Sequence, residues 1–242
     1  MTVLNYIQSA KAQSRKLLVW LIDPEKQPSL ESLRNSLALP DMIFVGGSTG
    51  GHTDDCVVLL RQFTDRPIVL FPGNITQFSP QADALLFLTL LNARTPDVLI
   101  NPHIEVAQQV RQSGIETIPM GYILVDGGRR SSVEIATNCT PISSNAVNTV
   151  VSTALAGQLL GKLLIYLEAG SGAKMPIPLE IIGSVHAVLQ VPLIVGGGIC
   201  TPEAMLSVFE AGADIVVIGN HFEKNPDEIG EFVRIKREKY GE

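Results

Sequence analysis

The chain has 242 residues, 45% of them apolar and only 5% aromatic, with a formal net charge of -6. That apolar share is enough for an ordinary packed core. Its aliphatic bias suits buried parallel strands, and the acidic balance argues against broad nucleic-acid binding, which relies on Lys and Arg facing phosphates. A small anionic ligand stays open, because backbone N–H groups and one or two cations suffice to hold one. No stretch approaches the ~20 apolar residues of a membrane span, and Met1 to Lys16 lacks the apolar centre of a signal peptide. Cys56, Cys139 and Cys200 show no zinc-type spacing and read as reduced thiols. A cytoplasmic protein is expected, with at most a transient contact with a membrane surface.

The first strand is Leu17 to Ile22, stopped by Asp23-Pro24-Glu25-Lys26. A helix follows, capped by Ser29, with Leu30, Leu33 and Leu37 at helical spacing. Met42 to Val45 is the second strand and runs into Gly46-Gly47-Ser48-Thr49-Gly50-Gly51. Thr53 or Asp54 is expected to cap the next helix, with Val57, Val58 and Leu60 inward. Pro67 to Phe71 reads as the third strand, ending at Pro72-Gly73-Asn74. The stretch from Gln77 to Asn92 fits either a short helix or a strand around Phe87-Leu88-Thr89. Val98 to Ile100 reads as a short strand, followed by a helix from His103 to Ser113. Thr117 to Val125 reads as a strand that Pro119 and Gly121 bend or place at an edge. Pro141 to Leu160 is a loop and a long helix. Leu163 to Leu167 is a buried strand that gives way to Glu168-Ala169-Gly170-Ser171-Gly172. A helix from Leu179 to Leu189 leads to the strand Pro192 to Val195 and to Gly196-Gly197-Gly198-Ile199. Pro202 opens a helix, where its missing N–H costs nothing. Asp214 to Ile218 is the last strand, ending in Gly219-Asn220, and a charged helix runs from Pro226 towards Tyr240.

Strand and helix alternate roughly eight times without a polar linker, which favours one closed (β/α)8 TIM barrel over residues 1–242, ahead of an open doubly wound sheet. In such a barrel the strand ends share one mouth. Glycines after the seventh and eighth strands, Gly196 to Gly198 and Gly219-Asn220, stand where barrels often bind phosphate. Gly170-Ser171-Gly172 can close a third side, and each loop also works as a plain turn. Tyr166 and Glu168 put a phenol and a carboxylate at the same strand end. Asp23 is a hard oxygen donor suited to Mg²⁺, Ser48 can offer a hydroxyl, and Lys26 can meet a phosphate as a point charge. His52, His103, His186 and His221 have neither metal-type spacing nor an orienting partner in sequence.

Taken together, Asp23-Pro24-Glu25-Lys26, Val45-Gly46-Gly47-Ser48-Thr49-Gly50, Phe71-Pro72-Gly73-Asn74, Tyr166 to Gly172, Val195 to Ile199 and Gly219-Asn220 resemble the geranylgeranylglyceryl phosphate synthases and the related bacterial heptaprenylglyceryl phosphate synthases. The resemblance runs in the same order over nearly the whole chain, and Tyr166 to Gly172 is its most specific part. It implies a prenyltransferase on a modified barrel whose third helix is lost or replaced. It implies Mg²⁺ near Asp23 and Ser48. It also implies sn-glycerol 1-phosphate held by Tyr166, Leu167, Glu168, Ala169, Gly170, Ser171 and Gly172, with Gly197, Gly198, Gly219 and Asn220. The 3-hydroxyl of that acceptor would attack a polyprenyl diphosphate, geranylgeranyl diphosphate first among them. Glu168 would take or orient the hydroxyl proton, Tyr166 would fix the glycerol, and Lys26 would face the leaving diphosphate. Leu85, Leu86, Phe87, Leu88 and Tyr122 are candidates for an apolar groove. The family also implies a homo-oligomer. Two other readings stand beside this one: a phosphosugar isomerase or epimerase on the same barrel, and a non-catalytic prenyl-phosphate binding protein.

Overall fold

The computed structural model describes residues 1–47 and 51–241. Its centre is a closed barrel of parallel strands in sequential order: β1 Leu17–Ile22, β2 Met42–Val45, β3 Ile68–Leu70, β4 Ala84–Leu90, β5 Glu116–Leu124, β6 Leu164–Glu168, β7 Leu193–Gly196 and β8 Ile215–Ile218. The strands are short apolar runs, and their two faces build two cores. Val19, Phe44, Leu86, Met120, Tyr166 and Ile194 point into the barrel. Trp20, Val45, Leu85, Ile165 and Val195 pack outward against the helices. Alternation of side chains along each strand produces this division.

Closure explains one departure from the sequence reading. Pro119 and Gly121 lie inside β5, which is continuous and has neighbours on both sides, Phe87 pairing with Pro119 and Gly121 with Ile165. Pro119 still offers its carbonyl, which accepts from the Leu163 amide at 2.8 Å. A side chain on Gly121 would meet Leu91 and Ile165 within 3 Å, so that glycine serves packing and marks no edge.

Other expectations are corrected locally. Val98 to Ile100 is no strand: Pro96–Leu99 is one helical turn that opens with Pro96 at its first position, ahead of the helix Asn101–Ser113. The stretch ending at Asn92 resolves in favour of the strand, and β4 is longer than the Phe87-Leu88-Thr89 segment. The helix Thr53–Leu60 has His52 at its cap position, not Thr53 or Asp54, and Val58 is 47% exposed while Cys56 takes a buried place instead. Leu30 likewise faces outward, whereas Leu33 and Leu37 are buried. Ser29 caps its helix as expected, accepting from the Ser32 amide at 3.1 Å. The helices Val3–Ala12, Ser132–Thr137 and Asn220–Lys224 had no sequence expectation.

The barrel departs from its regular form between β3 and β4. Residues 71–83 cross that interval without a helix, and Phe87, Leu88 and Thr89 of β4 stay half-buried. Among the described residues no helix is long and apolar enough to cross a membrane.

Candidate active site

The register of the last strands brings the chemistry together. Tyr122 pairs with Tyr166, Glu168 pairs with Gly196, and Gly196 pairs with Val217. Glu168 is the last residue of β6 and is 7% exposed. Its Oε1 accepts from the Gly170 amide at 2.7 Å, and the Tyr166 hydroxyl also donates to the carboxylate. Burial outweighs both contacts and pushes the Glu168 pKa up from 4.5 to about 7, because desolvation disfavours the charged form. Burial, followed by the nearby Glu168 charge, holds the Tyr166 phenol well above its ordinary pKa. At neutral pH the pair is therefore a phenol donor and a carboxyl group poised near its midpoint, the condition for a general base.

Glycine is required at two neighbouring positions. A side chain on Gly196 would overlap the Tyr166 hydroxyl and come within 3.2 Å of Glu168 Oε2. A side chain on Gly197 would strike Glu168 Oε1, and its φ of +87° is one that L side chains rarely adopt. Ser171 and Asn220 meet across the mouth, with Asn220 Nδ2 3.1 Å from Ser171 Oγ. Gly172, Gly197, Gly198, Gly219 and Asn220 thus line the same opening. The side chains of Leu167 and Ala169 do not: both pack into the outer core, which leaves only their backbone near the mouth.

On the opposite side, Asp23 caps the short turn Pro24–Lys26, accepting from the Glu25 amide at 3.1 Å. Gly47 lies hard against its carboxylate, since a side chain there would come within 2.6 Å of Oδ1. Lys26 Nζ is 3.1 Å from Asp23 Oδ2 and 4.0 Å from Glu223 Oε2. Partial burial works against the Lys26 charge, but Asp23 and Glu223 more than offset it and raise the lysine pKa. Glu223 had escaped the sequence reading. Its signal is its spacing from Asn220, three residues on along a short helix, which sets both on one face. Ser48 lies outside the described residues. Among those described, no group of three or more His, Cys, Asp or Glu side chains could hold a metal. A magnesium ion that keeps water and binds substrate phosphate needs fewer, one or two carboxylates, and Asp23 at the cavity edge is a donor of that kind.

Glu168, Tyr166, Asp23, Lys26 and the glycine loops all border one cavity of about 870 Å³. Its floor is aromatic. Phe71 stacks on Tyr166 at 5.3 Å between ring centroids, and Tyr166 stacks on Tyr122 at 5.3 Å. From this floor the cavity runs out through the gap left by the missing helix, along Leu85, Phe87 and Leu88 of β4 to Val106 and Val110 of the helix Asn101–Ser113. Leu86 and Tyr122, also expected in the groove, line its inner end. His103 serves the groove wall: its Nε2 is 2.6 Å from the Leu88 carbonyl and its ring packs on Phe87 at 4.5 Å. His221 borders the cavity, with Nε2 held 2.8 Å from Glu228.

The same arrangement has relatives. The chain is 42% identical over 226 residues to a geranylgeranylglyceryl phosphate synthase of Zunongwangia profunda, covering 91% of this chain and 97% of that protein. It is 41% identical over 222 residues to a protein of the same name from Thermococcus kodakarensis, covering 88% and 87%. The fold superposes with a TM-score of 0.90, at 33% identity and over 98% and 99% of the two chains, on a crystal structure of (S)-3-O-geranylgeranylglyceryl phosphate synthase from Thermoplasma acidophilum in complex with substrate sn-glycerol-1-phosphate. Residues 10–236 match the profile of the PcrB family. With that match spanning the barrel and every strand end that builds the site, the chain belongs to the PcrB family.

Proposed function

We propose that this protein is a prenyltransferase that joins the 3-hydroxyl of sn-glycerol 1-phosphate to a polyprenyl diphosphate, forming a prenylglyceryl phosphate ether and releasing diphosphate. The observation that carries this reading is the shape of one cavity, polar at the glycine loops and apolar along β4. An acceptor phosphate sits on the amides of Gly172, Gly197, Gly198 and Gly219, where bare backbone approaches an anion closely. The glycerol then lies over the aromatic floor beside Tyr166 and Glu168. The prenyl chain occupies the groove that the absent helix leaves open. The complex of the Thermoplasma acidophilum relative with sn-glycerol-1-phosphate supports the acceptor assignment.

In the reaction, the acceptor hydroxyl oxygen bonds to the first carbon of the prenyl chain while the bond from that carbon to the diphosphate oxygen breaks. Glu168 takes the hydroxyl proton, and Tyr166 keeps the carboxylate turned toward the hydroxyl. Lys26 faces the leaving diphosphate, where charge grows. Asp23, with Ser48 as the resemblance implies, would hold Mg²⁺, which supplies positive charge against the diphosphate oxygens. We further propose a cytoplasmic homo-oligomer that meets a membrane surface when its lipid substrate or product is exchanged.

A phosphosugar isomerase would use two acid or base groups on one small substrate and would have no use for the long apolar arm. The test is incubation of the purified protein with sn-glycerol 1-phosphate, Mg²⁺ and labelled prenyl diphosphates of several lengths. A lipid-soluble phosphate product, absent when either substrate is withheld, supports the reading. Unchanged substrates under these conditions refute it.

A further inference from the structure

The lining of the cavity as a whole is acidic. Asp23, Asp97, Glu105, Glu168 and Glu223 border it, and Lys26 is the one Lys or Arg among its described lining residues. That lysine is held by Asp23 and Glu223. A phosphate dianion at the glycine loops would therefore meet amide dipoles but no full positive charge of its own.

Arg129 stands beside this place. It lies in the loop that joins β5 to the helix Ser132–Thr137, and that loop is fastened to the Gly170–Gly172 turn. The Gly127 carbonyl accepts from the amides of Lys174 and Met175 at 3.0 and 3.3 Å. Ser131 closes against Gly170, where a side chain would come within 2.6 Å of the Ser131 Cβ. As a result, Arg129 Nη1 is 3.6 Å from the point where a side chain on Gly172 would begin, and Asn220 Nδ2 is 3.8 Å from the same point. Two donors thus converge over a bare glycine of the phosphate loop. The neighbouring Arg130 is paired with Glu134 at 3.7 Å. The Arg129 guanidinium is exposed and has no hydrogen bond or ion pair among the described residues.

We propose that Arg129 is a phosphate-binding residue for the acceptor, closing its guanidinium over the anion that the glycine loops hold. This rests on the glycerol phosphate reading of the site. A guanidinium is suited to the task because its planar donors match two phosphate oxygens at once, and its permanent charge offsets the acidic lining. The loop that carries Arg129 is tied to the Gly170–Gly172 turn at Gly127 and Ser131, so the guanidinium stays with the acceptor loop.

Calorimetric titration of wild type, Arg129→Ala and Arg129→Lys with sn-glycerol 1-phosphate, and separately with inorganic phosphate, at low and high salt, tests this. Arg129→Ala is expected to weaken both ligands by about tenfold, the scale of one exposed charge-assisted contact, and to flatten the salt dependence of binding. Arg129→Lys should recover part of the loss. In turnover, KM for glycerol phosphate should rise while kcat and KM for the prenyl diphosphate stay within about twofold of wild type. Wild-type affinity in Arg129→Ala overturns the proposal, as does an equal loss for both substrates accompanied by a lowered melting temperature. If wild type itself fails to bind glycerol phosphate, the functional reading falls first and this inference with it.

Discussion

Glu168 accepts a hydrogen bond at 2.7 Å from the amide of Gly170, two positions further along the chain. The contact turns the β6 end back on itself, so the loop that is to hold the acceptor phosphate also orients the carboxylate that is to receive the acceptor's proton. Loss of the carboxylate should therefore spare acceptor binding and remove turnover. Glu168→Gln is expected to lower kcat by about 10²–10⁴, the usual contribution of a positioned base, with Kd for glycerol phosphate within about threefold of wild type. Retained turnover in this variant would remove Glu168 from the base role.

The pH dependence of the rate follows from the same residue. A base must be ionised, and burial lifts Glu168 from 4.5 to about 7. The rate is expected to rise with pH and level off above about 7. Tyr166→Phe removes a donor that stabilises the ionised form, so its profile should shift to higher pH. An unchanged inflection in Tyr166→Phe would separate the phenol from the carboxylate.

Stability should run the opposite way. The folded state holds the Glu168 proton more tightly than the unfolded state does. The stability this contributes is complete below about 4.5 and is lost as pH rises through about 7. Glu168→Gln carries no such titration. Its stability relative to wild type is expected to improve between pH 4.5 and pH 8 by about 3 kcal/mol, the free energy of a shift of this size. Denaturant melts of both proteins across that range measure it, and a pH-independent difference would contradict it.

Gly196 is a packing requirement of the site. Gly196→Ala places a methyl group against the Tyr166 hydroxyl. A cost of about 1–3 kcal/mol is expected from the forced shift, together with a large loss of turnover as Tyr166 and Glu168 move. Normal kcat in a folded Gly196→Ala protein would show that the phenol's position is unimportant.

The groove should sort substrates by length. Val106 projects into the arm of the cavity from the helix Asn101–Ser113. Val106→Trp is expected to shorten the usable groove, so that longer prenyl diphosphates lose turnover more than shorter ones. Product chain lengths from mixed substrates, read by mass spectrometry, report this. An unaltered profile would place the prenyl chain elsewhere.

Much of this architecture was legible because parallel barrel strands are short apolar runs that stop at Gly, Asp or Glu. Met42–Val45 could be bounded to the residue for that reason. Glu168 and Asp23 could be placed at strand ends because the loops after them begin with residues that do not continue a strand. Val98 and Ile100 misled because β-branched residues favour strands locally, while Pro96 after Thr95 was setting a helical turn. Pro119 and Gly121 misled because closure of the barrel is a long-range property, and without it both look like marks of a bend or a sheet edge. Glu223 and Arg129 belong to no recognisable motif. Their place at the mouth comes from a short helix and from a loop-to-loop contact, neither of which has a period to read. Ser48 lies outside the described residues.

The most direct measurement is a crystal structure of this protein with sn-glycerol 1-phosphate bound. The expected result has the phosphate on the amides of Gly172, Gly197, Gly198 and Gly219, and the 3-hydroxyl within hydrogen-bond reach of Glu168, facing the groove along β4. A phosphate bound elsewhere, or a hydroxyl turned away from Glu168, would contradict the account.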